Sequence, residues 1–478
     1  MSPKEGTERR GSPASLPIPN PAKVCYNADR TTGDGLARSV PARGHMETRE
    51  SPRLVRALGR WSLTALVINS IIGSGIFGLP SIAAEYVGRW SPLAYLLAAC
   101  GAGVIMACFA EVASQFSEAG GPYLYAREAF GRFLGIEIGW FTWLVRLTAS
   151  AAAGNLFTNY LAEFWPEVKA PGVRLGVLAL LIGILAVVNV RGVKSGAVVS
   201  NAFTMAKLLP LVAFAVAGVV FVLLRPPVLP PVSPGNAPTV RDWLNGVLVV
   251  LFAYGGFEGA LVPMSEAKDP RRDAPFALYA ALATTTLLFC AIQVVVVAVL
   301  PTAAITDRPL AAAASQFWGR AGALLISAGA LVSVTGYLSA QMLHAPRLTF
   351  ALAERRDFPS IFARIHPRYR TPHASILVLA AIVWTLAAVG NFKWNVLLSS
   401  VGRLFAYGIV CASLPVLRRK RPAAPAYRLP AGNFFAAAGV LFMLALASQM
   451  GRGEWAAILI TMAVALVNWL WVRRQPAL

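Results

Sequence analysis

The chain has 478 residues, 56% of them hydrophobic and only 14% charged, with a mean hydropathy of +0.60. This composition excludes an ordinary soluble globular protein and reads as a polytopic membrane protein. The net charge of +21 does not point to a nucleic-acid partner, because the basic residues sit mainly in short loops between apolar runs.

Residues 1–52 are rich in Pro, Gly, Ser, Thr and charge and have no apolar h-region. They predict a disordered cytoplasmic tail without a cleavable signal peptide. Met46 offers a second candidate start. From Arg53 onward the apolar runs predict twelve spans, at about 62–86, 91–113, 132–162, 174–190, 197–224, 243–266, 276–300, 319–350, 373–390, 395–417, 433–450 and 455–472. With the N-terminus inside, Lys and Arg in the inner segments outnumber those in the outer loops by more than two to one. The expectation is a cell-membrane protein with both termini cytoplasmic.

Span 1 carries Gly73-Ser74-Gly75-Ile76-Phe77-Gly78. Each of its three glycines weakens a helix by about 1 kcal/mol relative to Ala. Gly73 lies roughly 18 Å along a helix from Trp61, near the middle of an apolar core about 30 Å thick. Unwound backbone at that depth is tolerated only when buried in protein or lining a cavity. A break there exposes N–H groups from one half-helix, which suit a carboxylate, and C=O groups from the other, which suit an ammonium. One break can therefore hold both ends of a zwitterion such as an amino acid.

Span 5 places Lys207 about 15 Å past Ala197. A buried ammonium costs about 3 kcal/mol or more at mid-bilayer and is usually functional. Residues 225–242 hold six prolines and predict an irregular outer linker. Span 6 then repeats the glycine pattern in Phe252-Ala253-Tyr254-Gly255-Gly256-Phe257-Glu258-Gly259. Spans 1 and 6 would cross in opposite directions, and paired interruptions at matching places point to a transporter site. The five cysteines show neither metal spacing nor a disulfide framework, and no cofactor is implied. No histidine falls at mid-membrane, so a histidine relay is not expected. HExxH, GxSxG and paired mid-membrane Asp are absent, so no enzyme is expected.

Several stretches resemble amino acid permeases of the amino acid–polyamine–organocation superfamily. They are GSGIFGLP in span 1, GGPYLY at 120–125, LFAYGGFEG in span 6, SEAKDPRRDAP at 265–275, and Ala345-Pro346-Arg347 with the basic loop ending HPRYRTP. The resemblance runs from about Arg56 to the end of span 12. It implies an all-α membrane fold of two inverted five-helix repeats, at 53–224 and 243–418, with helices 1 and 6 broken, followed by two further helices within 419–478. The LFAYGG stretch and Ser333–Pro372 most resemble the L-type branch, which favours large neutral amino acids.

By that family pattern the substrate carboxylate meets N–H groups at Ser74, Gly75 and Ile76. The ammonium meets carbonyls at Ile71, Phe252 and Gly255. Gly73, Ala253 and Gly256 complete the predicted site, and the Phe252 ring closes over the substrate. The Ser74 hydroxyl either adds a bond to substrate or bonds back to its own helix. Lys207 either couples transport to H⁺ or acts as a fixed charge that replaces sodium. Glu258 is a second candidate for coupling, or packs against backbone donors. Arg403 is placed in the inner vestibule, Arg146 in apolar surroundings, and Glu111 and Glu118 in inner ion pairs.

Animal L-type carriers attach to a glycoprotein through a cysteine between spans 3 and 4. Residues 162–174 have none, so no disulfide-linked heavy chain is expected. The expected function is sodium-independent alternating-access transport of an amino acid, by H⁺ symport or by exchange. An amino acid sensor on the same fold is the alternative, and cationic amino acids or polyamines are the alternative substrates.

Overall fold

The structure is a computed structural model that describes residues 59–116, 121–192, 197–225, 237–260, 269–300, 306–422 and 427–474. The predicted tail, Glu118, most of the Pro-rich linker and the end of predicted span 6 lie outside these residues. Every regular element described is helical, and no strand occurs among them. Lipid leaves little choice, because each backbone N–H and C=O must find its partner within the segment.

Seven segments are long and apolar enough to cross a membrane, where the sequence predicts twelve spans. The difference has identifiable sources. Gly75–Ser114 counts as one apolar stretch of 40 residues although it contains two helices. His373–Val389 and Gly432–Ala447 are apolar but only 17 and 16 residues long. Arg132–Leu161 is long enough but carries Arg132, Glu137 and Arg146.

In chain order, α1 (Arg60–Ile71), α2 (Gly75–Val87) and α3 (Ser91–Ser114) come first. The short α4 (Gly121–Phe130) leads into the long α5 (Arg132–Leu161), followed by α6 (Pro171–Arg191) and α7 (Ala197–Leu224). Next come α8 (Val240–Val250), a 3-10 turn at Leu251–Tyr254, the one-turn α9 (Phe257–Ala260) and α10 (Pro270–Val299). Pro309–Glu354 forms α11, which is two helices meeting at Gly319, where φ is +64°. The chain closes with α12 (His373–Val389), α13 (Phe392–Lys420), α14 (Gly432–Ala447) and α15 (Arg452–Val472).

Helix α5 is central and packs against α4, α11, α12, α13 and α15. Its buried run Ala149-Ser150-Ala151-Ala152-Ala153-Gly154 keeps side chains small, so neighbouring helices approach closely. Gly402 on α13 serves the same contact: a Cβ there would stand 2.8 Å from Val145 of α5. Large exposed apolar side chains such as Leu180, Ile184, Leu209, Val216, Leu223, Leu459 and Val467 lie on α6, α7 and α15. These are the faces for lipid.

One end of the bundle is tied by buried ion pairs. Asp357, fully buried after α11, accepts from Arg127 at 2.7 Å and Arg132 at 2.7 Å, and from the Tyr123 hydroxyl. Its carbonyl accepts from Asn468 of α15. Burial, and then the adjacent carboxylate, push the Tyr123 hydroxyl up to about 12, so it stays a donor at neutral pH. Glu111 at the end of α3 takes Arg418 of α13 in two bonds of 2.6 Å. Breaking a fully buried pair costs about 3–5 kcal/mol, and the partial exposure of these arginines makes the cost here smaller. Asp357→Asn should therefore lower the thermal unfolding temperature of detergent-purified protein by several degrees, whereas Asp307→Asn at an exposed site should not. Equal unfolding temperatures for the two variants would show that the cluster carries no stability.

Candidate functional site

Helix α1 stops at Ile71. Ile72 is extended (φ −74°, ψ 94°), Gly73 and Ser74 follow, and α2 begins at Gly75. A comparable stretch follows α8: after the 3-10 turn, Gly255 is extended (φ −75°, ψ 164°) and Gly256 takes φ +102° before α9 begins. Gly256 is required twice over. Its φ disfavours any L side chain, and a Cβ would stand 2.4 Å from the Ser70 carbonyl oxygen. Gly75 has a related role, since its Cβ position lies 3.2 Å from Phe252 and 3.3 Å from the Ala253 Cα. The second stretch thus packs against both helix ends that flank the first, and a glycine allows each of these contacts.

A cavity of about 780 Å³ opens beside them. Ile71, Gly73, Ser74 and Gly75 line it from the first stretch, and Phe252, Ala253, Gly255 and Gly256 from the second. Lys207 of α7 and Glu258 of α9 complete the predicted set. Ile76 is the exception, since it does not line the cavity and its side chain is packed in the core at 2% exposure. Only its N–H, in the open first turn of α2, is available for the predicted contact.

The charges around the cavity have defined partners. The Lys207 ammonium donates to the carbonyls of Asn69 and Ile72, both at 2.7 Å, and so holds the chain where α1 ends. Those two oxygens lack helical N–H partners or sit at the fraying end, and a cation satisfies both. Glu258 accepts from the Gly256 N–H at 2.9 Å and from the Tyr407 hydroxyl at 2.8 Å, which fixes the second stretch to α13. The Ser74 hydroxyl is buried and has no hydrogen-bond partner, so it does not bond back to its own helix.

Sequence reasoning missed the contribution of α11. Tyr337, Gln341 and His344 line the cavity from one face of that helix. Tyr337 lies 3.2 Å from where a Gly73 Cβ would be, and its hydroxyl accepts from Gln341 at 2.9 Å. Arg146 of α5 donates to the other end of Gln341 at 3.2 Å. The signal was present as polar residues at a spacing of four and then three in an apolar span, the spacing of one helix face. The lining continues past His344 to Arg347, Arg355 and Tyr123, toward the end tied by Asp357. With unpaired backbone dipoles, fixed charges of both signs and a ring, the cavity suits reversible binding of a small polar molecule.

Residues 58–471 match the family model described as amino acid permease. A methylthioribose transporter of Bacillus subtilis (strain 168) is 28% identical over 83% of this chain and 88% of its own. A serine/threonine exchanger of the same organism is 28% identical, over 72% of this chain and 78% of its own. A branched-chain amino acid permease, also from B. subtilis, is 25% identical over 88% and 94%. Each of these relatives is a transporter by name, not an enzyme. A match of this extent, with apolar helices of membrane-spanning length, makes this a multi-pass membrane protein, and the chain belongs to the amino acid permease family.

Proposed function

We propose that the protein is a sodium-independent secondary carrier of amino acids that works by alternating access in the cell membrane. In this reading the chain crosses twelve times, with 53–224 and 243–418 as inverted repeats and both termini cytoplasmic. Spans 1 and 6 are the interrupted pair. The observation that carries the proposal is that the stretch around Gly255 packs against the ends of α1 and α2 where the helix is interrupted, and that both interruptions line one cavity. There the first N–H groups of α2 would meet an anion, and the carbonyls of Ile71 and Gly255, with the second lone pair of the Phe252 carbonyl that already accepts from Gly255, would meet a cation. The lining runs toward Arg347 and Arg355, in the segments that the Lys and Arg bias puts inside, which supports a state open to the cytoplasm.

Lys207 supports the sodium-independent part. Its ammonium already occupies the carbonyls at the end of α1, where a sodium ion would otherwise be held. The same contacts favour a fixed charge over a proton carrier, because deprotonation would weaken two bonds that hold the site together. Likeness to the L-type branch points to large neutral side chains, whereas the space beside Gly255 and Gly256 is taken by Arg403 and the Ser70 carbonyl. The relative named for methylthioribose supports a second reading, in which the cargo is a small polar solute other than an amino acid.

Two tests follow in proteoliposomes holding the purified chain. Radiolabelled uptake across the twenty amino acids should show saturable transport of at least one, and Gly75→Leu should abolish it while the protein elutes as a single folded species. A sensor would bind without uptake, transport of methylthioribose alone would favour the second reading, and full uptake by Gly75→Leu would remove this site. Lys207→Ala should lower counterflow exchange at equal pH and pH-gradient-driven uptake by the same factor, about tenfold or more for a loss of about 1.4 kcal/mol. Exchange that survives while gradient-driven uptake vanishes would instead make Lys207 the proton carrier.

A further inference from the structure

Arg403 of α13 is a buried charge that the account so far leaves without a task. It is 4% exposed and lines the cavity. Its Nε and Nη1 have no hydrogen-bond partner, and it forms no ion pair among the described residues. Its guanidinium carbon lies over the Phe252 ring, 4.9 Å from the centroid. Such stacking offsets part of the desolvation of a cation but leaves its N–H groups unsatisfied.

The Tyr407 hydroxyl neighbours Arg403, but no carboxylate pairs with this charge among the described residues. Glu258, the one carboxylate in the lining among the described residues, is engaged with the Gly256 N–H and the Tyr407 hydroxyl. Two other cations of the lining are already placed, Lys207 on two carbonyls and Arg146 on Gln341. A buried guanidinium with open donors and an excess of positive charge around it is a receptor for an anion.

Phe252 touches both Gly75 and Arg403: a Gly75 Cβ would lie 3.2 Å from the ring, and the Arg403 guanidinium carbon lies over its face. Arg403 also stands against Gly255, where a Cβ would be 2.3 Å from Nε. The cavity therefore offers two sets of donors for negative charge, the first amides of α2 and the Arg403 guanidinium. A neutral amino acid fills the first and leaves Arg403 unpaired.

We propose that Arg403 binds a second anionic group on the substrate, so that the site takes α-amino acids with a carboxylate side chain. This rests on the amino acid carrier reading and replaces the expectation of a large neutral substrate. It also disfavours cationic amino acids and polyamines, which would meet like charge at Arg403, Arg146 and Lys207. The guanidinium fork matches a carboxylate in two parallel bonds, which a neutral amide cannot equal.

The test is equilibrium binding of L-glutamate, L-aspartate, L-glutamine, L-leucine and L-lysine to the purified full chain, followed by uptake of the same five. Glutamate or aspartate should bind about ten- to a hundredfold more tightly than glutamine. Arg403→Gln should bring that ratio close to one, and Arg403→Lys should restore part of it. Binding of glutamine, leucine or lysine to the wild-type chain as tightly as the acids would overturn this inference and leave the carrier reading intact. A ratio unchanged in folded Arg403→Gln would likewise overturn it. If the folded wild-type chain bound none of the five and transported no amino acid, the carrier reading would fail first and this inference with it. The wild-type ratio decides the matter even if the variants do not fold.

Discussion

Peptide groups without helical partners, set inside an apolar bundle, are the constraint on which the rest of the structure depends. Each such N–H or C=O is costly in a medium that offers no hydrogen bonds. The protein answers some of them internally. Lys207 takes the carbonyls of Asn69 and Ile72, and Glu258 takes the Gly256 N–H. It also pairs the Gly255 N–H with the Phe252 carbonyl, and the first N–H groups of α2 remain beside the cavity that Gly75 lines. In the proposed reading a zwitterion completes this incomplete set. Binding and the local stability of the unwound backbone are then the same interaction.

The surrounding bundle keeps those peptide groups in place. Small residues on α5 let α13 approach, and α13 carries both Tyr407, which bonds Glu258, and Arg403, which stacks on Phe252. Helix α11 contributes Tyr337 against Gly73. The wall is therefore assembled from α1, α2, α4, α5, α6, α7, α9, α11 and α13 and their connections. At one end of the molecule, Asp357 ties α4, α5 and α15 to the end of α11, and Glu111 ties α3 to α13. A carrier that rocks one group of helices against another would have to break or carry these pairs.

Much of this was legible in the sequence because glycine and lysine carry local meaning. Three glycines in six residues at mid-span mark backbone that does not continue as a helix, and a lysine ten residues into an apolar run needs a partner. Both arguments need only composition and depth. Ile76 shows where the reasoning stops: it falls in the first turn of α2 but does not line the cavity, and its side chain faces the core, because facing is decided by how α2 packs. Tyr337, Gln341 and His344 show the same limit. Their spacing defines a helix face, but an isolated span does not say whether that face meets lipid, a neighbour or a cavity. Arg403 was placed in a vestibule, yet its missing partners are a tertiary fact. Span counting was weakest where charge interrupts apolarity, as in α5, and where helices are short, as in α12 and α14.

The central claim is that main-chain dipoles read both ends of the substrate. Its most direct test is calorimetric binding of the amino acid that the purified protein holds most tightly, beside two analogues with the same side chain. One analogue carries an amide in place of the α-carboxylate, and the other a hydroxyl in place of the α-ammonium. The account predicts that each change weakens binding about tenfold or more, as expected when a charge-assisted bond is lost. Analogues that bind as well as the parent would contradict it.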